Sequence, residues 1–177
     1  MQPPMNLVLA RLNAIDTALC VRINRFNREP AVQRFFGAVS RLGDGVFWYG
    51  LMALLLIVER EAALIPVLHM IAAGLIGLWL YKWLKRKTLR PRPGNLCDGL
   101  TRTTAPLDEF SFPSGHTLHA VTFSLVAIAY FPWLTPIVLP FTLLVALSRV
   151  VLGLHYPTDV LAGAALGYCL ATLSFLI

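Results

Sequence analysis

The chain has 177 residues, 57% of them hydrophobic and 14% charged, with a formal net charge of +6 and a mean hydropathy of +0.68. Soluble domains carry roughly 45 to 50% apolar and about 25% charged residues, so this composition excludes an ordinary water-soluble fold and points to a lipid bilayer. The cations are packed between apolar runs rather than spread over a polar surface, which fits phosphate-bearing lipids and not nucleic acid.

In chain order, residues 5–26 place Leu7, Val8, Leu12, Ile15, Leu19 and Ile23 near a 3.6-residue period, with Arg11, Asp16, Arg22 and Arg25 interspersed. This pattern predicts an amphipathic helix lying in the membrane interface. A short sixth span with snorkelling charges is the alternative. Arg11 and Asp16 interrupt the apolar stretch a cleavable signal peptide needs, so targeting falls to the first true span. Uncharged windows follow at 45–58, 62–81, 117–148 and 160–177. Crossing a bilayer takes roughly 17 to 25 residues. The second and fourth windows qualify directly, and the first extends back through Leu42 and Gly43, leaving Asp44 near the interface. The third is long enough for a hairpin whose turn is marked by Pro132, Pro136 and Pro140. The expected architecture is an all-α polytopic transmembrane bundle of five, alternatively six, spans. Residues 1–41 form an interfacial segment and 42–177 the transmembrane domain. Cys20, Cys97 and Cys169 have no C-x-x-C spacing and read as isolated thiols.

The remaining polar sequence lies at 82–116, at 148–159 and in the N-terminal segment. Alternating helix direction puts the first two on one membrane face, while the other holds only Glu59, Arg60, Glu61 and the proline turn. Lys82, Lys85, Arg86, Lys87, Arg90 and Arg92 place six cations in eleven residues, ending in Arg-Pro-Arg-Pro. Such a run serves as a snorkelling collar or as an anion site, lysine supplying a mobile point charge and arginine a planar fork suited to phosphate. Phe112-Pro113-Ser114-Gly115-His116 opens the third window. Ser114 there caps a helix, and free backbone N–H groups near Gly115 can point at an anion beside His116. In the segment from Ser148 to Asp159, Pro157 suits the first turn of the last helix and brings Asp159 within reach of His155. A carboxylate on one ring nitrogen leaves the other free as nucleophile or base, and Arg149 offers a further phosphate clamp. Charged groups beside membrane spans are costly unless paired or functional.

Other residues carry plainer readings. His69 and His119 fit packing or helix–helix hydrogen bonding; Asp108 and Glu109, just before P-S-G-H, can screen the site or shape substrate entry, with a solvated loop the plainer reading. Lys87 and Arg90 fit headgroup contacts. The G-x-x-x-G of Gly163 and Gly167 fits close helix packing within the monomer.

Together the segments resemble the three-part signature of the type 2 phosphatidic acid phosphatases, the lipid phosphate phosphatases: K-x6-R-P, P-S-G-H and S-R-x5-H-x3-D. The chain reads Lys85-x6-Arg92-Pro93, Pro113-Ser114-Gly115-His116 and Ser148-Arg149-x5-His155-x3-Asp159, without a substitution. The resemblance covers about residues 42–177 and is to bacterial integral-membrane members. It implies that His155 attacks phosphorus to form a phosphohistidine, that Asp159 orients its ring, and that His116 acts as general acid and then base. Lys85, Arg92, Ser114, Gly115 and Arg149 would hold the phosphoryl oxygens in the role metal ions play elsewhere, so neither metal nor cofactor is expected. The implied partners are the bilayer and a phosphorylated lipid: undecaprenyl diphosphate, phosphatidylglycerophosphate, phosphatidic acid or a lipid A phosphate. The motifs do not separate hydrolysis from phosphotransfer to another lipid. A non-catalytic anion or lipid transporter is the alternative from another class. Vanadium haloperoxidases share the signature but are soluble and much longer. Of the 15 lysines and arginines, only Arg60 falls opposite the motifs if the N-terminal segment shares their side, which points the site to the cytoplasm. The resemblance points instead to the periplasmic face of a bacterial inner membrane, and that is the orientation expected here. Oligomeric state is not legible.

Overall fold

The computed structural model describes residues 4–96, 100–101 and 108–176. Its elements are α1 (Pro4–Asn24), α2 (Pro30–Arg41), α3 (Phe47–Val58), α4 (Leu64–Thr88), the single turn α5 (Pro93–Leu96), α6 (Gly115–Tyr130), α7 (Thr135–Val151) and α8 (Pro157–Ser174). Among the described residues there is no strand, only one antiparallel bridge between Pro91 and Phe110. The all-α expectation holds. Among the described residues, three helical runs are long and apolar enough to cross a membrane: Pro30–Val58, Arg60–Thr88 and Pro132–Val151.

The first of these runs joins α2 to α3 through a wide turn, Leu42–Val46, in which Gly45 has φ 138°. Only glycine enters that region readily. The expected boundary between residues 41 and 42 therefore falls inside a continuous helical run, at its kink. Asp44, exposed, lies in this turn and bonds His116 of α6.

Helices α6 and α8 pack at backbone distance. A Cβ on Gly163 would lie 2.5 Å from Ser114 O, and one on Gly167 would lie 2.5 Å from Leu118 O. The small-residue stripe is thus an intramolecular seam, as its spacing predicts. Hydroxyls tie α6 to α7: Ser124 Oγ meets Thr142 Oγ1 at 2.5 Å, and Thr142 Oγ1 donates to Ala120 O at 3.2 Å. The apolar core lies between α3, α4, α6 and α7 around Trp48, Leu55, Met70, Val126 and Val138, with Phe47 stacked on Phe141 at 3.8 Å. Leu54, Ile57, Ile65, Leu68, Leu143 and Leu161 are exposed, as a surface solvated by lipid requires.

The orientation of α1 inverts the water-soluble pattern. Leu12, Ile15 and Leu19 point outward, while Asp16, Cys20 and Asn24, spaced four apart, are buried. These polar side chains meet α7, α8 and the loop before α6. Asn24 Nδ2 donates to Val151 O at 2.8 Å and to Thr101 O at 3.0 Å, and Cys20 Sγ lies 3.8 Å from His155 O. Cys20 and Cys169 are free thiols, the first buried and the second exposed; Cys97 lies outside the described residues.

Candidate active site

The polar ends of α4, α6, α7 and α8 converge at one end of the bundle. Helix α7 ends in a left-handed turn at Gly153, φ 68°. That turn lets the backbone N–H groups of Leu154 and His155 both donate to Arg149 O at 3.0 Å. Arg149 and His155 are thereby fixed on one side of the turn. Pro157 starts α8, and Asp159 Oδ2 accepts the Tyr156 N–H at 2.9 Å, so the carboxylate also caps the helix. Helix α6 begins at Ser114, whose N–H donates to Asp159 O at 3.0 Å.

His155 is buried, 1% exposed. Its Nε2 lies 3.2 Å from Nη1 of Arg92. A guanidinium only donates, so Nε2 carries the lone pair and Nδ1 the proton. Nδ1 faces Asp159 Oδ2 at 3.6 Å, longer than a hydrogen bond. Burial first, and then Arg92, Arg149 and Lys85, hold the His155 imidazole well below its ordinary pKa. The ring is therefore a neutral base aimed at cations.

Arg92 also donates from Nη1 to Leu154 O at 2.6 Å and from Nη2 to Asp108 Oδ1 at 2.6 Å. Lys85 Nζ donates to the same Asp108 oxygen at 2.7 Å and to Phe110 O at 2.8 Å. Burial favours the neutral acid at Asp108, but Lys85 and Arg92 outweigh it and lower its pKa. One carboxylate oxygen thus sits between two cations, as a phosphoryl oxygen could. Arg149 donates from Nη1 to Ser40 Oγ at 2.5 Å, while its Nε is buried without a hydrogen-bond partner. His116 bonds Asp44 through Nε2 in a short contact.

Lys85, Arg92, Gly115, His116, Arg149 and His155 line one cavity of about 260 Å³. From them it runs between α3 and α4 over Trp48, Met52, Ile71, Leu75 and Leu78. Gly115 leaves room for Tyr81, whose ring a Cβ would meet at 3.2 Å. Ser114 and Asp159 stand behind the cavity wall. Ser114 is fully buried, with its hydroxyl 3.0 Å from Thr117 Oγ1.

Four residues here were not assigned to the site from sequence. The sequence puts Asp44 near the interface, Asp108 in a solvated loop and Arg90 among headgroups, and carries no signal at Ser40. Arg90 instead donates to Asp159 Oδ1 at 2.7 Å. His69 bridges Tyr130 and Ser174, and His119 bonds Gly74 O at 3.0 Å, both in line with helix–helix bonding. Among the described residues no cluster of three or more histidine, cysteine or acidic side chains could hold a metal.

A cationic cavity lined by three histidines, His116, His119 and His155, set at one end of an apolar helical bundle and continued by an apolar cleft, defines a membrane protein suited to an anionic lipid headgroup. The chain belongs to the PAP2 superfamily, whose family model matches residues 62–177. It is 27% identical over 154 residues to an undecaprenyl-diphosphatase of Sulfolobus acidocaldarius, covering 86% of this chain and 74% of that one. It is 31% identical over 163 residues to phosphatidylglycerophosphatase B of Bacillus subtilis, covering 81% of this chain and 73% of its relative. The crystal structure of Aquifex aeolicus LpxE matches with a TM-score of 0.70 at 26% identity, covering 89% of this chain and 93% of that one.

Proposed function

We propose that the protein hydrolyses the phosphate or diphosphate headgroup of a membrane lipid through a phosphohistidine at His155. The observation that carries this reading is the cavity itself: the Nε2 lone pair of His155 faces Arg92 at 3.2 Å, at the head of a cavity whose other end is an apolar cleft between two helices. A headgroup can meet the cations while its chain stays among apolar side chains.

In the first step Nε2 of His155 attacks phosphorus as the bond to the leaving oxygen breaks, and His116 gives that oxygen a proton. In the second, His116 takes a proton from water, the water oxygen bonds phosphorus, and the N–P bond breaks to release inorganic phosphate and restore His155. Lys85, Arg92, Arg149 and the N–H groups near Gly115 stabilise charge on the equatorial oxygens. Asp159 positions the His155 ring, Asp44 positions His116, and Ser114 contributes by capping α6. Polyprenyl diphosphates and phosphatidylglycerophosphate lead the candidate substrates, because relatives bear those names.

In this reading residues 42–58, α4, α6, α7 and α8 are five spans. Residues 1–41 include the interfacial segment, braced on a catalytic domain at 42–177, and the site opens on the periplasmic face of a bacterial inner membrane. Lys85, Arg90, Arg92 and Arg149 belong to the buried network of the site, so they do not count as topological charges. The test is phosphate release in EDTA by the detergent-purified protein from undecaprenyl diphosphate, phosphatidylglycerophosphate, phosphatidic acid and lipid A. Metal-free release from at least one lipid is expected. Activity lost in EDTA and restored by magnesium would overturn the mechanism.

A further inference from the structure

We propose that Arg90 and Asp16, neither of them in the three motifs, form a clamp that positions Asp159 and through it the nucleophile His155. Arg90 Nη1 donates to Asp159 Oδ1 at 2.7 Å and to Thr158 Oγ1 at 2.8 Å. Its Nη2 donates to Asp16 Oδ2 at 2.7 Å. One guanidinium therefore spans two carboxylates, one from α1 and one from the first turn of α8. Asp16 secures the same turn directly, since its Oδ1 accepts the Thr158 N–H at 3.0 Å and its Oδ2 accepts the Thr158 hydroxyl.

The two oxygens of Asp159 then have separate tasks. Oδ1 is held by Arg90, while Oδ2 accepts the Tyr156 N–H and faces His155 Nδ1. With Oδ1 fixed, the carboxylate cannot rotate Oδ2 away from the imidazole. The guanidinium lies 4.2 Å from the Tyr156 ring centre, and the Arg90 backbone is tied down where its carbonyl O accepts the Ser111 N–H at 2.8 Å. Burial works against charge on Arg90, but Asp159 and Asp16 outweigh it and raise its pKa above the ordinary value.

Charge balance requires the arginine. Asp16 is 2% exposed and Asp159 0%, and two buried carboxylates around one turn repel unless a cation stands between them. This also accounts for an aspartate on the inner face of α1. The matched family region begins at residue 62, so Asp16 is an addition to the site from outside it. A planar fork can serve both carboxylates at once, whereas an ammonium is a point charge.

The inference rests on His155 being the nucleophile. The test compares wild type, Arg90→Gln, Arg90→Lys, Asp159→Asn and the Arg90→Gln/Asp159→Asn double variant, all in detergent, on the lipid of the panel above that wild type turns over fastest. Thermal melts report the folded fraction. Arg90→Gln is expected to lose about 10- to 100-fold in kcat with KM within about 3-fold, because the group acts on the nucleophile and not on the substrate. The double variant is expected to be no slower than Asp159→Asn alone, because Arg90 acts through Asp159, and the kcat loss at unchanged KM and melting temperature is what a purely structural ion pair would not produce. Arg90→Lys retains the charge and so the fold, and loses about 10-fold in kcat for want of the fork. Full kcat in Arg90→Lys, or losses from Arg90→Gln and Asp159→Asn that multiply in the double variant, would overturn the clamp. Should Arg90→Gln not fold, Arg90→Lys decides. A wild type that turns over no lipid would overturn the phosphatase reading instead, so the two failures are distinct.

Discussion

Nη1 of Arg92 stands 3.2 Å from Nε2 of His155, and this contact settles which ring nitrogen holds the lone pair. An arginine cannot accept a hydrogen bond, so Nε2 holds the lone pair. The contact also places a permanent positive charge against the ring, which together with burial keeps the imidazole neutral at pH values where an exposed histidine would be protonated. The sign is that of a base with a lowered pKa. With His155 as the proposed nucleophile, the ring stays active as pH falls through the ordinary value of 6.5, so the acid limb of kcat/KM due to His155 should lie below it. Stability has the same sign. The unfolded chain takes up a proton near pH 6.5 and the folded one does not, so the His155 contribution is complete above that pH and shrinks below it. A pH–rate profile and a pH series of melts check both.

Asp44 and His116 form a second acid–imidazole pair. If Asp44 holds His116 ready to protonate the leaving oxygen, Asp44→Asn should slow lipid hydrolysis by about 10-fold or more. It should spare kcat/KM for para-nitrophenyl phosphate, which reports the first step, because that leaving group departs without a proton. Equal losses on the two substrates would show that Asp44 acts otherwise.

The α6–α8 seam leaves no room for a side chain, since a Cβ on Gly163 would lie 2.5 Å from Ser114 O. That oxygen is backbone and cannot swing aside. Gly163→Val should cost about 1 to 3 kcal/mol of stability. It should also lower activity, because the same backbone carries the Ser114 N–H to Asp159 O bond. A melt in detergent beside a turnover assay reads both, and an unchanged melting temperature would contradict the packing.

What could be read in advance was set by distance along the chain. Lys85, Arg92, His116, Arg149, His155 and Asp159 lie in short segments with fixed spacings, and the structure brings them together. Partners far apart in sequence left no local signal: Asp44 with His116 across 72 residues, Arg90 with Asp16 across 74, and Arg149 with Ser40 across 109. The period of α1 was legible, and residues 4–24 are helical, but periodicity cannot say which face is buried when the solvent is lipid. There Leu7, Leu12 and Leu19 face outward, and the buried face carries the polar residues that bond inside the bundle. Asp108 read as solvent-facing because its cationic partners, Lys85 and Arg92, come from an earlier segment.

Orientation is open to labelling. Cys97 follows the polar end of α4, so in spheroplasts of a Cys20→Ser, Cys169→Ser background a membrane-impermeant maleimide should modify it before lysis. Protection until the cells are broken would put the site on the cytoplasmic face.

The most direct test of the account is to trap the covalent intermediate. Wild-type protein mixed with undecaprenyl diphosphate labelled in its terminal phosphate and quenched within one turnover should carry label that is stable to alkali, labile to acid and located at His155. His155→Ala should carry none and release no phosphate. Undiminished turnover in His155→Ala, or label on another residue, would contradict the central claim.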